Sequence, residues 1–316
     1  MILCISANPA IDRRLHLERL TVGGVIRACF AAAAPGGKAA HVAMAAQALG
    51  EAVRWVGFSG GATGDECERG LVALGIPVEA IHTRSATRVN IEIIDAMGVV
   101  TEVLEPGGAV TVEEVSELLR ACRELFATHL ENAVVVLSGS LPPGAPIDFY
   151  AQLIHLAQTY GCRTLLDAGG ASLLSSLAAA PDLIKPNREE AASAAGFAVT
   201  SIASAAEAAR CMIERGARSA AVSLGADGLL LLKENDAAPV FAAPAPVDAR
   251  STVGCGDATV AGFAVAAARG MSDAETLRLA VACGAANCLA SLPGQIQAAE
   301  VERLAPLVSI RELEGE

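Results

Sequence analysis

The segment from Thr252 to Ala258 combines residue types that could do chemistry on a phosphate. Gly254 and Gly256 lack a Cβ, so backbone N–H groups beside them can face a ligand. An apolar run follows directly, and the N-terminus of the helix that it predicts adds partial positive charge. The segment is therefore a candidate anion pocket. Asp257 stands at its end, where a carboxylate would repel a bound phosphate.

Two interpretations account for Asp257. It can be a general base that takes the proton of a hydroxyl group attacking the phosphate. It can also be an N-cap residue behind an ordinary glycine-rich turn. The segment alone leaves both open, and the rest of the chain favours the first.

Further segments occur in the order typical of PfkB-type carbohydrate kinases of the ribokinase superfamily, which the chain resembles. The segments that match the superfamily are Gly36-Gly37-Lys38, Lys185-Pro186-Asn187 with Glu190, and Thr252 to Asp257. The segments that resemble its hexose-phosphate kinases, such as 1-phosphofructokinases and tagatose-6-phosphate kinases, are Asn8 to Asp12, Thr87 to Asn90, Glu105 to Gly107 and Ser138 to Gly144. The resemblance runs from Asn8 to the region of Gly284. It implies an ATP-dependent kinase in which Asp257 is the base.

Composition is typical of a cytoplasmic enzyme. Hydrophobic residues make up 53% of the 316 residues but aromatic residues only 3%, so the core must consist largely of Ala, Val and Leu. No apolar stretch reaches the roughly 20 residues of a membrane span, and the start of the chain reads as a strand, not a signal peptide. Nine cysteines without C-x-x-C pairs argue against zinc and a disulfide framework and favour a reducing compartment. The net charge of −12 argues against nucleic acid as a partner.

Strand-like and helical patterns alternate along most of the chain. Strands are expected at residues 1–7, 54–58, 133–138, 163–167, 183–185, 219–224 and 228–233. Helices are expected at 38–49, 64–74, 112–125, 147–160, 189–195 and 203–215, with two long helices at 257–269 and 274–290 closing the chain. This alternation predicts an α/β fold with a mostly parallel sheet covered on both faces. The resemblance implies the ribokinase-like three-layer α/β/α version of it.

Two segments depart from this succession of strands and helices. In residues 12–30 and 87–104, apolar and polar residues alternate as in strands, but no helix follows directly. They could extend the edge of the main sheet. The resemblance favours a small β-lid over the sugar site, which often pairs with the lid of a second subunit. We therefore expect a nucleotide-binding core at residues 1–11, 31–86 and 105–316, a discontinuous lid at 12–30 and 87–104, and a homodimer.

The candidate acceptor site begins at Asp12, whose carboxylate could accept hydrogen bonds from sugar hydroxyls. Gly36 and Gly37 let the backbone approach a sugar, and Lys38 supplies a point charge. Three residues after this lysine, relatives usually have asparagine, whereas this chain has His41; it also has Ala39 where a glycine is expected. His41 is either a substrate contact or a buried structural imidazole.

Arg88 matches the arginine that, in hexose-phosphate kinases, binds the phosphate already on the sugar. A planar guanidinium suits this role because it donates two parallel hydrogen bonds to phosphate oxygens. Asn90 shares its strand face by the period-two rule and could contact the sugar. Further candidate contacts are Arg27, Ser138 and Ser140.

The donor side is expected in the C-terminal half. The resemblance implies that Ser223, Gly225 and Gly228 form an ATP loop, that Lys185 reaches a phosphate, and that Asn287 flanks adenine. It also implies that Thr252, Gly254, Cys255 and Gly256 present N–H groups to the transferred phosphate. Asn187 and Glu190 have the N-x-x-E spacing that helps to hold Mg²⁺, often through water; the alternative is a helix cap beside a surface carboxylate.

The sequence contains no G-x-x-x-x-G-K-[ST] loop and no dinucleotide-binding G-x-G-x-x-G at its first helix. We therefore predict ATP-dependent phosphorylation of a ketohexose phosphate, with fructose 1-phosphate as the favoured acceptor. Tagatose 6-phosphate, fructose 6-phosphate and an unphosphorylated sugar remain alternatives. An alternative of another class is a non-catalytic sugar-phosphate sensor, which would need the pocket but not Asp257.

Overall fold

The computed structural model describes residues 1–128, 133–236 and 238–313. Its strands are β1 (Ile2–Ser6), β2 (Ala10–His16), β3 (Phe30–Gly36), β4 (Val53–Ser59), β5 (Val78–His82), β6 (Arg88–Ile94), β7 (Val100–Leu104), β8 (Val134–Ser138), β9 (Arg163–Asp167), β10 (Leu183–Ile184), β11 (Ser219–Ser223), β12 (Leu229–Lys233), β13 (Val240–Ala243) and β14 (Ser309–Glu312). Its α-helices are α1 (Lys38–Ala48), α2 (Gly61–Ala73), α3 (Val112–Ala127), α4 (Phe149–Thr159), α5 (Gly170–Leu177), α6 (Arg188–Ala195), α7 (Ile202–Glu214), α8 (Cys255–Arg269), α9 (Asp273–Leu289) and α10 (Ala298–Leu304).

Ten strands form one large sheet in the order β14-β13-β12-β11-β10-β9-β8-β1-β4-β5. From β5 to β11 all neighbours are parallel, and β12 to β14 extend one edge in antiparallel fashion. The central strands are apolar throughout because helices cover both of their faces.

The two faces of the large sheet carry separate hydrophobic cores. Along β1, Ile2 and Cys4 belong to one core while Leu3 and Ile5 belong to the other, as the period-two rule requires. The first core is completed by α1, α2, α8, α9 and α10, and the second by α3, α4, α5, α6 and α7. This confirms the mostly parallel sheet covered on both faces that the alternation of elements predicted, and the three-layer α/β/α version that the resemblance implied.

Several short elements escaped the sequence analysis, namely β5, α5, β13, α10 and β14. The prediction that α8 and α9 close the chain is therefore wrong, since α10 and β14 follow. Residues 239–246 are rich in Ala and Pro, yet they include the strand β13. Both β13 and β14 are four-residue strands at the antiparallel edge. Such strands form through pairing with a neighbour and leave little periodicity in the sequence.

A separate four-stranded sheet, called here the small sheet, has the order β3-β2-β6-β7. The alternative of an edge extension of the large sheet is therefore wrong. Residues 31–36, assigned above to the core, belong to β3 and pair with β2, which itself begins at Ala10. The parallel pair of β2 and β6 sets Asp12 opposite Asn90. Two predicted sugar-binding side chains thus lie on adjacent strands in register.

None of the helices in the described ranges combines the length and the apolar character needed to cross a bilayer.

Helices α8 and α9 pack at very short range through Gly262, where a Cβ would lie 2.5 Å from the Cα of Ala280 and 2.9 Å from its N. Alanine normally favours a helix over glycine by about 1 kcal/mol. We expect Gly262→Ala to be destabilising instead, because overpacking against backbone atoms costs about 1–3 kcal/mol. The free energy of unfolding from urea denaturation measures the sign. An increase in stability would show that the two helices separate freely, contrary to this packing.

Candidate active site

A cavity of about 1420 Å³ lies between the small sheet and the loops that follow β8, β9, β10 and β11. Its position matches the general rule that ligands bind outside the carboxyl ends of strands in open α/β sheets. Most residues predicted from the sequence line this cavity: Asp12, Gly37, Lys38, His41, Arg88, Asn90, Ser140, Lys185, Asn187, Glu190, Ser223, Gly225, Gly228, Thr252, Gly254, Cys255, Gly256 and Asp257.

The other predicted site residues lie elsewhere. Arg27 is exposed and is not part of the cavity lining. Gly36 lies behind Asp12, where a Cβ would approach the carboxylate carbon to 2.2 Å. Ser138 is buried and donates a 3.4 Å hydrogen bond to Asp167. Asn287 is also buried and does not line the cavity, so it occupies a supporting position beneath the surface expected to face adenine.

Thr252 to Gly256, called here the anion loop, leads into α8 with Gly254 at the N-cap. Gly254 has φ +81°, a conformation that favours glycine. Within the described residues, the backbone N–H groups of Gly256 and Asp257 have no hydrogen-bond acceptor in the chain. Free N–H groups at a helix N-terminus, together with the helix dipole, form a binding site for an anion.

The Asn287 amide supports the anion loop from α9. It donates a 2.8 Å hydrogen bond to the carbonyl of Val253 and accepts a 2.9 Å hydrogen bond from the N–H of Gly294. The loop conformation therefore does not depend on a ligand alone. The Sγ atom of Cys255 in the same loop lies 3.1 Å from that of Cys288, and this contact lowers the pKa of Cys288 to about 7 although burial opposes the shift.

Asp257 lies in the first turn of α8 and is only 6% exposed. Since Gly254 occupies the N-cap, Asp257 does not cap the helix, and its Oδ2 instead lies 2.7 Å from Nδ1 of His41. The side chain thus reaches across the cavity floor to α1. This geometry favours the general-base interpretation over the N-cap interpretation.

Asp12 is held by two neighbours. Asn90 donates a 2.8 Å hydrogen bond to Oδ1, and Nε2 of His41 lies 2.7 Å from Oδ2. Burial by itself would raise the pKa of Asp12, but the hydrogen bonds and charge of His41 and the amide of Asn90 lower it. The carboxylate is therefore ionised and fixed in orientation, as a residue that positions sugar hydroxyls needs to be.

Arg88 is oriented by backbone carbonyls. Nη1 donates to the carbonyl of Glu105 at 2.8 Å and Nη2 to that of Asn8 at 3.2 Å. Its Nε is buried without a hydrogen-bond partner in the described chain, and so is Oδ1 of Asn90. Buried polar atoms without partners are rare in native proteins, and these two belong to residues that line the cavity. Burial also lowers the pKa of Arg88, although Asp12 and Glu105 oppose that shift.

Lys38, Lys185 and Asp167, called here the lysine–aspartate cluster, lie below the anion loop. Asp167 is 1% exposed, and each lysine Nζ lies 3.4 Å from its carboxylate. Burial opposes ionisation of Asp167, but the two lysines lower its pKa. Nζ of Lys185 would lie 3.4 Å from a Cβ at Gly256, so its charge sits directly beside the anion loop. The sequence analysis missed Asp167, although a carboxylate at the end of a buried strand was a usable signal.

Asn187 and Glu190 form a capping box at the start of α6. The Asn187 side chain accepts from the N–H of Glu190 at 2.8 Å, and Glu190 accepts from the N–H of Asn187 at 2.9 Å. The helix-cap alternative therefore describes a real interaction, yet both residues also line the cavity. Oε1 of Glu190 lies 3.6 Å from Nζ of Lys38.

A second group missed by the sequence analysis joins the small sheet to the anion loop. Arg14 on β2 and Glu92 on β6 form a buried ion pair with contacts of 2.7 and 2.9 Å. Ser251, the residue before the anion loop, donates a 2.9 Å hydrogen bond to the same Glu92 carboxylate, and Arg14 also donates to the carbonyl of Ser291. The small sheet is thus hydrogen-bonded to the segment before α8 and to the segment after α9.

Asp167→Asn should destabilise the fold, because Lys185, which is 4% exposed, would keep a charge without its counter-ion. Removing one partner of a buried ion pair costs about 3–5 kcal/mol. The matched control is Glu124→Gln, which removes an exposed pair with Arg120 whose contribution is about 0–1 kcal/mol. Denaturant unfolding of both variants measures the difference. Equal losses in the two variants would contradict the structural role of the lysine–aspartate cluster.

A model of the pfkB family of carbohydrate kinases matches residues 11–297. The 1-phosphofructokinase of Rhodobacter capsulatus is 36% identical over 282 residues, which cover 89% of this chain and 88% of that protein. The 1-phosphofructokinase of Bacillus subtilis is 30% identical over 313 residues, covering 99% and 100%.

Solved structures agree with these relatives. Phosphofructokinase-2 from Escherichia coli in complex with fructose 6-phosphate has a TM-score of 0.88 and 28% identity, covering 97% of this chain and 98% of that one. Its tetrameric inhibited form has a TM-score of 0.88 and 29% identity with the same coverage. Domain match, sequence identity and fold agree along nearly the whole chain, and the protein belongs to the pfkB family of carbohydrate kinases.

Proposed function

We propose that the protein transfers the γ-phosphoryl group of ATP to fructose 1-phosphate and forms fructose 1,6-bisphosphate. The observation that carries the proposal is the position of Asp257: a buried carboxylate beside unpartnered N–H groups at the start of α8, in the cavity that Arg88 also lines. The 1-phosphofructokinases among the relatives support the choice of acceptor.

The side chains of the cavity suit an in-line transfer. Asp257 accepts the proton of the attacking hydroxyl as the new O–P bond forms, while the bond from the γ-phosphorus to the β-phosphate oxygen breaks and ADP leaves. The anion loop and Lys185 stabilise the negative charge on the transferred group. Asp12 and Asn90 orient the sugar so that its free hydroxyl faces Asp257.

Arg88 binds the phosphate already on the acceptor. Two of its nitrogens are held by backbone carbonyls, so the guanidinium plane is fixed before a ligand arrives, and its buried Nε has no partner in the described chain. Preorganisation of this kind favours a rigid planar anion clamp. Fructose 6-phosphate is the second candidate acceptor, because the E. coli relative binds it.

Nucleotide and magnesium are expected on the C-terminal side of the cavity. The 3₁₀ turn Gly225–Asp227, the anion loop and Gly284 on α9 line this side. In the described residues no three His, Cys, Asp or Glu side chains form a metal cage. This fits Mg²⁺, which usually binds one or two carboxylates, waters and substrate phosphates. Glu190, with Asn187 beside it, would hold the ion, which when bound neutralises charge on the ATP phosphates.

The small sheet also supports a homodimer. Large apolar side chains are exposed on it and on its connecting loops: Val22, Val25, Phe30, Met97, Val99, Val103 and Leu104. A contiguous apolar surface on a monomer is typical of an interaction site. We propose that the small sheet is a lid over the sugar and that two lids pair. Since the nine cysteines are free thiols, we also propose a cytoplasmic location.

A panel of acceptors tests the proposed function. Purified protein is incubated with ATP, Mg²⁺ and fructose 1-phosphate, fructose 6-phosphate, tagatose 6-phosphate or fructose, and ADP release and the product mass are followed. The highest kcat/KM is expected for fructose 1-phosphate. A higher value for another member of the panel would replace the proposed acceptor.

Asp257→Asn tests whether the activity measured with this panel depends on the carboxylate of Asp257. The amide keeps the shape of the side chain but cannot accept the proton, so kcat should fall by about 10²–10⁴-fold or more. The Kd for ATP, measured by calorimetric titration, should stay within a few-fold of the wild-type value. Turnover close to the wild-type rate would remove Asp257 from the mechanism.

Arg88→Ala should raise the KM for fructose 1-phosphate by about 10-fold or more, since a charge-assisted hydrogen bond contributes about 1.5–3 kcal/mol. The KM for ATP should change little. Arg120→Ala, on the exposed face of α3, serves as the control for loss of one positive charge. An equal effect of Arg88→Ala on fructose and on fructose 1-phosphate would show that Arg88 does not bind the acceptor phosphate.

A further inference from the structure

His41 joins the two carboxylates on which the proposed transfer depends. The residue lies on α1, is 5% exposed, and still borders the cavity. Its Nε2 lies 2.7 Å from Asp12 on β2, and its Nδ1 lies 2.7 Å from Asp257 on α8. One ring therefore connects the acceptor side of the cavity with the start of α8.

With both carboxylates ionised, the bonding pattern calls for a protonated ring. A neutral imidazole has a single N–H donor, so one ring nitrogen would set its lone pair against a carboxylate oxygen. An imidazolium donates from both nitrogens and satisfies both contacts. Burial disfavours the charge, but hydrogen bonds and attraction from Asp12 and Asp257 raise the pKa of His41 to about 10.

We propose that His41 is a positioning residue: an imidazolium bridge that holds the carboxylates of Asp12 and Asp257 at fixed orientations beside the acceptor. The proposal rests on the proposed function, because it assigns roles to those two carboxylates. Both ring nitrogens are used by the carboxylates, so His41 shapes the acceptor site without a direct hydrogen bond to the sugar.

The charges around the bridge explain why a cation is needed there. Asp12 and Asp257 approach the ring from two elements, and Glu102 on β7 adds a third negative charge near it. Anions this close disfavour one another's ionised forms. Lys38, on the same helix, attracts Asp257, and Arg88 attracts Asp12, but among the described residues only His41 contacts both carboxylates.

Asparagine, which the resemblance leads one to expect at this position, cannot replace the bridge. Its amide group is neutral and has donors on one atom only, so it cannot donate from opposite sides to two anions. The site of this chain therefore carries one positive charge more than it would with asparagine. His41→Asn removes that charge with a modest change in volume.

Kinetics over a range of pH test the bridge. In His41→Asn the carboxylates lose the cation between them, so the acid limb of the kcat–pH profile should move about one pH unit or more toward higher pH. The KM for fructose 1-phosphate should rise about 10-fold or more, because Asp12 loses a charge-assisted contact. The KM for ATP should stay nearly constant. The control His155→Asn, at an exposed position of α4, should match the wild type.

Two kinetic outcomes would overturn the proposal. An unmoved acid limb and an unchanged acceptor KM, together with a lower melting temperature, would make His41 a packing residue only. A new ranking of acceptors with an unmoved acid limb would instead identify a direct substrate contact. If the wild type prefers another acceptor in the panel, the proposed acceptor fails and the same profiles are recorded with that acceptor.

Thermal melts give a readout that needs no acceptor. Because the pKa of His41 is raised from 6.5 to about 10 on folding, its charge stabilises the fold fully below pH 6.5 and this contribution is lost as the pH rises toward 10. The difference in melting temperature between wild type and His41→Asn should therefore be largest near pH 6 and shrink at higher pH. A difference that stays constant from pH 6 to 10 would contradict a charged bridge even if no acceptor were found.

Discussion

The site must keep several carboxylates ionised in a buried cavity that also has to accept phosphates, and its arrangement follows from this electrostatic constraint. Three carboxylates of the site contact a cation: Asp167 has two lysines, and Asp12 and Asp257 share His41. The cations come from α1 and from the segment after β10, so charge pairing also fixes these elements against the sheet. Without this pairing, burial would favour neutral acids, and a neutral Asp257 could not take a proton.

The fold supplies the short distances that such pairing needs. Alanine and glycine let α8 and α9 approach each other closely, as Gly262 against Ala280 and Gly284 against Thr259 show. A core rich in large aromatic residues would hold these helices farther apart. The low aromatic content seen in the sequence is therefore linked to the site, since close backbones bring the three carboxylates and their cations into one cavity.

Much of this arrangement could be predicted from the sequence. The alternation of elements predicted a mostly parallel sheet covered on both faces, the family resemblance implied the three-layer core, and most of the proposed site residues do line the cavity. The predictions failed where pairing in space decides the outcome. The strands β13 and β3 form only by pairing with neighbouring strands. Asn287 turns toward the anion loop because its amide hydrogen-bonds the carbonyl of Val253 in that loop and the N–H of Gly294. The positions of Asp167 and of the Arg14–Glu92 pair likewise appear only when distant segments meet.

The small sheet and the segment before the anion loop are connected by buried hydrogen bonds, and these bonds limit the movement open to the lid proposed above. Arg14, Glu92 and Ser251 form one buried hydrogen-bond network, which holds β2 and β6 to the segment before α8. The exposed apolar residues lie instead on β7, at Phe30 where β3 begins, and in the connecting loops of the sheet. If the small sheet is the proposed lid, closure over an acceptor bends it about these contacts, and a second lid packs against the outer strands. Asp12 and Asn90 keep their register beside His41 through the pairing of β2 with β6.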